Sequence, residues 1–141
     1  GWTDILVTSG YRTYSYQSSL FNQYIANERA AHPDWTYEQA VTQVLTYSAR
    51  PGTSEHQTGL CMDLIVGGAN PVLDDSFADH ACYRWLVENA HKFGFILRFP
   101  KGKETVTGYS YEPWHYRFVG VEAATEIYRR GITLEQYLEK Y

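Results

Sequence analysis

The chain has 141 residues, 12 of them basic and 16 acidic, for a formal charge of −4 with the histidines neutral. That length suits one domain with its own core and no need of disulfide staples, and 44% hydrophobic with 20% charged residues excludes disordered and fibrous classes. The acidic balance, without any Lys/Arg cluster, excludes a nucleic-acid partner, and no apolar run approaches the roughly 18 residues of a membrane-spanning helix. Thirteen Tyr and four Trp point to a surface or groove with amphipathic rings, although Tyr is also a common half-buried strand residue. The chain starts with Gly1 and is strand-like by Ile5, so residues 1–141 read as a single domain trimmed of an anchor or linker.

Ile5 to Val7 is expected as a short strand ending at Ser9-Gly10. A helix follows from about Ser15 to Ala31, with Leu20, Phe21, Tyr24 and Ile25 at helical spacing and Pro33 as its limit. A second begins at Thr36, which has capping-box spacing to Gln39, and carries Ala40, Val41, Val44 and Leu45 on one face. Ser48 to Gly59 is polar, aperiodic and punctuated by Pro51, and reads as an exposed loop. Leu60 to Val66 then reads as a strand leading to a Gly67-Gly68 turn. Phe77 to Phe93 reads as a helix started by a Ser76/Asp79 capping pair and stopped by Gly94. Phe95 to Phe99 is strand-like, and Tyr109 to Tyr111 and Tyr116 to Val119 flank Glu-Pro-Trp-His. Two short helices, Val121 to Arg130 and Leu134 to Tyr141, close the chain. Interspersed helices and strands joined by short turns predict an α+β fold, a small and mainly antiparallel sheet with flanking helices.

Five histidines are available for chemistry. His32 stands at a helix end before Pro33, where a capping or cationic role suffices. His80 and His91 fall within the 77–93 helix, where a half-exposed structural histidine is the simplest account. His56 and His115 differ, because each lies near a carboxylate in a Gly- or Pro-marked stretch. Asp63 is also unusual, an acid among Leu60, Cys61, Met62, Leu64, Ile65 and Val66; burying it is costly unless it is paired, hydrogen-bonded or metal-bound. One account is a strand-end Asp serving local amides. The other makes His56, Asp63 and His115 three arms of a metal site.

Pro113 is expected to break the ladder, so that Glu112 and His115 converge rather than point to opposite faces. Two His and one carboxylate leave a position open for water, the pattern of a catalytic zinc. The same set is the facial triad of non-haem iron, and ligand identity alone does not decide between them. A further acid, Glu112, placed to act as general base toward bound water, favours hydrolysis. No His-Glu-x-x-His helix is present. Ser54 lacks a Gly-x-Ser-x-Gly elbow and reads as a hydrogen-bonding residue, while Cys61, in an apolar strand, reads as an inert buried thiol. Arg12 follows Ser9-Gly10-Tyr11, where it either forks a ligand carboxylate or makes a surface salt bridge. Cys61 and Cys82 imply neither a disulfide framework nor a compartment.

These stretches resemble motifs of the VanY-type zinc D-alanyl carboxypeptidases. The run Ser54-Glu55-His56-Gln57-Thr58-Gly59-Leu60-Cys61-Met62-Asp63 is similar to their Ser-x-His-x-x-Gly-x-x-x-Asp. Glu112-Pro113-Trp114-His115 is similar to Glu-x-Trp-His, and Ser9-Gly10-Tyr11-Arg12 with Gln17 to Ser-Gly-Tyr-Arg…Gln. The three motifs occur in order between Ile5 and about Gly120. The resemblance implies one zinc ion, on the sheet, held by His56, Asp63 and His115, with Glu112 as base. It also implies that Arg12 and Gln17, helped by Ser54, bind the terminal D-alanine region and that Trp114 lines the site. At position 61 Ala is more usual, a difference expected to touch packing and no ligand.

The activity so implied is removal of the C-terminal D-alanine from a peptidoglycan stem peptide, outside the cytoplasm; the sequence does not fix the oligomeric state, with a monomer favoured. An L,D-carboxypeptidase or a cross-bridge endopeptidase of the same fold are the near alternatives. A non-catalytic, zinc-containing wall-binding module, as in hedgehog-type relatives, is the alternative of another class, and Glu112 with Arg12 speaks against it.

Overall fold

A computed structural model of the chain describes residues 4–67 and 73–139. Its elements are β1 (Ile5–Ser9), α1 (Tyr14–Ala31), α2 (Tyr37–Val44), β2 (Cys61–Val66), α3 (Ala81–Asn89), β3 (Phe95–Phe99), α4 (Glu104–Thr107), β4 (Glu112–Phe118), α5 (Val121–Arg130) and α6 (Leu134–Leu138). Among the described residues no helix is long and apolar enough to cross a membrane.

Local sequence sets the helix starts. Thr13 caps α1 by accepting from the Tyr16 N–H, and Thr36 with Gln39 forms the expected capping box on α2. Thr133 and Gln136 do the same for α6. The helix expected over 77–93 is instead divided. Asp74, not Ser76, accepts from the Ser76 N–H and starts a 3-10 turn, Asp75–Asp79; His80 is then extended, and α3 begins only at Ala81. A second 3-10 turn, Ala90–Phe93, ends at Gly94, whose φ of 84° reverses the chain into β3. Gly68 of the expected turn, and Lys140 and Tyr141 of the expected closing helix, lie outside the described residues, and α6 ends at Leu138.

The sheet has strand order β1-β2-β4-β3, and each neighbouring pair is antiparallel. Cys61 pairs with Arg117, Met62 with Tyr116, and Asp63 with His115. Residues directly opposite share a face, and faces alternate along a strand. Cys61, Asp63, His115 and Arg117 therefore line one face, and Met62, Leu64 and Tyr116 the other. The second face is apolar: Leu64 and Tyr116 pack with Phe77, Cys82 and Ala90 beneath α3. Asp63 is thus an ordinary alternate-face residue of β2 whose face carries chemistry.

Pro113 does not break the ladder as expected, since β4 runs through it from Glu112 to Phe118. Leu97 pairs with Tyr116 but Phe99 with Glu112, so residues 113–115 of β4 stand opposite Arg98 alone. This bulge brings Glu112 and His115, three residues apart, to the same side. Tyr109 to Tyr111, expected as strand, lies outside any strand.

Two further clusters hold the helices. Phe21 and Ile25 of α1 meet Ala40, Val41 and Val44 of α2, and Ile96 of β3 meets Ala124 and Ile127 of α5. Burying each large aliphatic or aromatic side chain is worth roughly 1.5–3 kcal/mol, so α1 and α2 are fixed to each other, and α3 and α5 to the sheet, without any metal.

Candidate active site

A cleft of about 490 Å³ opens on the polar face of the sheet. Its wall includes Arg12, Ser54, His56, Asp63, Glu112 and His115, with Trp114 among the residues beside them. The four central groups are buried: His56 is 4% exposed, Asp63 2%, Glu112 7% and His115 4%.

His56 sits in a 3-10 turn, Glu55–Thr58, that Gly59 ends at a φ of 71° before β2. Two bonds pin this turn to the segment after β1. The Arg12 N–H donates to the His56 carbonyl at 3.1 Å, and His56 Nδ1–H donates to the Gly10 carbonyl at 2.7 Å. A carbonyl can only accept, so Nδ1 carries the proton and Nε2 faces the cleft, 3.2 Å from Asp63 Oδ2. His115 is the mirror case: Nε2 faces Glu55 Oε2 at 3.3 Å, and Nδ1 lies 3.0 Å from Asp63 Oδ1. Glu55 is itself held by Arg98 and Arg117.

The electrostatics follow from this crowding. Burial disfavours charge on every member, but the hydrogen bond to Asp63 overrides it at His56 and lifts the imidazole to about 9. His115 is raised in the same way, by Asp63 and then by Cys61 and Glu55. Asp63 is held well below the carboxylate range because the two imidazoles outweigh its burial. Glu55, despite burial, is brought down to about 2 by His115 and Arg98. Glu112 goes the other way. Burial pushes its carboxyl up to about 7 and the Asp63 charge adds to this, with His115 and His56 opposing. Its carboxylate lies 3.7 Å from His115 Nδ1.

The cluster fits a metal ion. A tetrahedral zinc with nitrogen and oxygen ligands at 2.0–2.2 Å spaces its donors roughly 3.3 Å apart, close to the 3.0 and 3.2 Å found between Asp63 and the two ring nitrogens. Each imidazole also donates its other N–H to an acceptor that fixes the ring.

A model of the VanY family, D-alanyl-D-alanine carboxypeptidase, matches residues 3–121. The chain belongs to the VanY family. A D-alanyl-D-alanine carboxypeptidase of Enterococcus faecalis is 45% identical over 133 residues, covering 94% of this chain and 47% of its own. The chain thus spans about half the length of that curated relative. A structure of VanYB in complex with D-alanine-D-alanine superposes with a TM-score of 0.85 at 43% identity, covering 98% of this chain and 72% of the other. A mutant of the vancomycin-resistance D,D-pentapeptidase VanY in complex with Zn(II) gives 0.80 at 45%, covering 95% and 71%. The LD-carboxypeptidase LdcB also gives 0.80, at 40%, covering 97% and 59%.

Within this VanY fold the residues singled out from sequence come together, with three differences of detail. Gln17 is fully buried rather than presented to the cleft: its Oε1 faces Arg12 Nη1 at 3.4 Å, and its Nε2 donates to the Ala49 carbonyl at 2.9 Å. Ser54 is 6% exposed in the cleft wall, and its side chain does not cap the turn that follows it. Cys61 departs from its expected role. It is buried, but on the polar face of β2, with Sγ and one ring nitrogen each of His56 and His115 all within 4.8 Å of one another. Those imidazoles outweigh burial and bring its thiol below the ordinary value.

Sequence reasoning did not single out Glu55, Arg98 and Arg117. The available signal was a carboxylate adjoining His56, together with two arginines in otherwise strand-like runs. His32 stacks on Trp35 at 3.9 Å and His91 on Tyr128 at 4.0 Å, both away from the cleft.

Proposed function

We propose that this chain is a zinc-dependent D,D-carboxypeptidase domain that removes the C-terminal D-alanine from peptidoglycan stem peptides outside the cytoplasm. The observation that carries the reading is Glu112. It is a buried acid poised near neutrality, on the same side of β4 as His115, in a cleft that also presents Arg12.

His56, Asp63 and His115 would hold the zinc ion, which when bound supplies Lewis acidity for the scissile carbonyl. Glu112 accepts the proton of the attacking water and passes it to the leaving amine, a task suited to a carboxyl poised near 7. Arg12 anchors the terminal carboxylate. Its guanidinium has five N–H donors; Nε bonds Ser9 Oγ, Nη1 faces Gln17 and Nη2 bonds Asp63, which leaves one hydrogen on each Nη for a two-bond fork. Gln17 acts through Arg12 as a positioning residue. Ser54 and Trp114 contact the peptide, and Trp114 walls the site.

The test is incubation with a pentapeptide ending in D-Ala-D-Ala, the tetrapeptide, and the amidated form of each, read by mass spectrometry. One alanine should leave the free pentapeptide. Glu112→Ala should keep zinc and lose turnover, and Arg12→Ala should lose activity on free-carboxylate peptides far more than on amidated ones. Normal turnover by Glu112→Ala, or equal losses for Arg12→Ala, would overturn the assignment. The similarity to LdcB supports an L,D-carboxypeptidase as the second reading, and preferential trimming of the tetrapeptide would select it.

A further inference from the structure

The two imidazoles of the cleft are shared between two donor sets. With Asp63 they form the nitrogen–oxygen set described above. With Cys61 they form a nitrogen–sulfur set, because the alternation of β2 turns residue 61 to the same face as residue 63. Sγ and the two ring nitrogens lie within 4.8 Å of one another, all three residues are buried, and Cys61 is a free thiol. Cys82 offers it no disulfide, since that side chain packs on the opposite, apolar face.

Zinc takes oxygen, nitrogen or sulfur donors, and cadmium, a softer ion, gains more from a thiolate than zinc does. We propose that Cys61 makes this pocket a second, soft-metal site, in which Cd(II) is bound by Cys61 Sγ with His56 and His115. The Cys61 S–H bond breaks, its proton passes to solvent, and a sulfur–cadmium bond forms, with no change of oxidation state. This inference stands apart from the peptidase reading, because its readout is the metal's own spectrum and affinity.

The test uses the full chain freed of metal and titrated with Cd(II) alone, followed by ultraviolet absorption, beside Cys61→Ala, Cys61→Ser and Cys82→Ala. Wild type and Cys82→Ala should develop a thiolate-to-cadmium charge-transfer band at one equivalent, and both Cys61 variants should lack it. Competition titrations should show Cd(II) affinity falling by ~10-fold or more in Cys61→Ala while zinc affinity falls far less. A band retained in Cys61→Ala, or equal losses for cadmium and zinc, would overturn the proposal. The zinc arm also checks that the variant's pocket is intact.

Discussion

The role proposed for Glu112 carries a cost to the metal-free fold, and Glu112→Gln measures that cost. The carboxyl is 7% exposed, and burial lifts it from an ordinary 4.5 to about 7. Between these values the folded chain keeps a proton that the unfolded chain releases, so stability falls as pH rises through this window and levels off above pH 7. Each pH unit is worth ~1.4 kcal/mol, which makes the ionised carboxyl a burden of up to ~3 kcal/mol at pH 8. Glutamine keeps the shape and never ionises. The metal-free Glu112→Gln protein should therefore match wild type near pH 5 and exceed it at pH 8, by roughly 8–12 °C in melting temperature for a domain of this size. Urea unfolding of both proteins from pH 5 to pH 8, in the presence of chelator, gives the gap directly. A gap independent of pH, or a wild type more stable at pH 8, would refute the burial argument. Added zinc should narrow the gap, because the ion's charge favours the carboxylate.

The remaining predictions concern the scaffold around that acid. Zinc affinity should rise with pH up to about 9, with proton release on binding, because His56 holds its proton to about 9 and must lose it to bind a metal; calorimetry in buffers of different ionisation enthalpy checks this, and a pH-independent affinity contradicts it. Glu55→Ala removes the acceptor that orients His115 and should weaken zinc binding by ~10–100-fold in equilibrium dialysis. Unchanged binding would mean that the ring is held by other contacts, such as Phe99 at 5.0 Å. Gly94→Ala would place a Cβ 2.6 Å from Phe118 Cε2 at a φ of 84°, and should cost about 2–4 kcal/mol in denaturant unfolding without altering zinc affinity.

Much of this was legible in the chain because chemistry-bearing residues stood out against their neighbours. Asp63 among apolar residues, and His56 and His115 near carboxylates, marked the site; Thr36 with Gln39 marked a helix start. What was not legible depended on pairing between strands. The route by which Glu112 and His115 converge is a bulge measured against β3, and no local signal near Pro113 reports the register of residues 95–99. Cys61 was misread for a related reason. In a run of apolar residues nothing shows which alternate set faces the helices, and the answer comes from the partner strand. The division of the 77–93 helix turned on Asp74 capping two residues earlier than Ser76 could.

The position of β4 between β2 and β3 also divides the cleft between residues carried by the sheet and residues carried by its connections. Glu112 and His115 stand on this middle strand, Glu112 opposite Phe99 of β3 and His115 opposite Asp63 of β2, so the sheet fixes where both side chains start. Arg12 lies in the segment between β1 and α1, and Ser54 in the loop before β2. Under the proposed function, changes in peptide-end recognition would fall on those connections, while Glu112 and His115 stay on the strand. Specificity in such a cleft can drift by loop changes alone, without disturbing the chemistry that every substrate must meet.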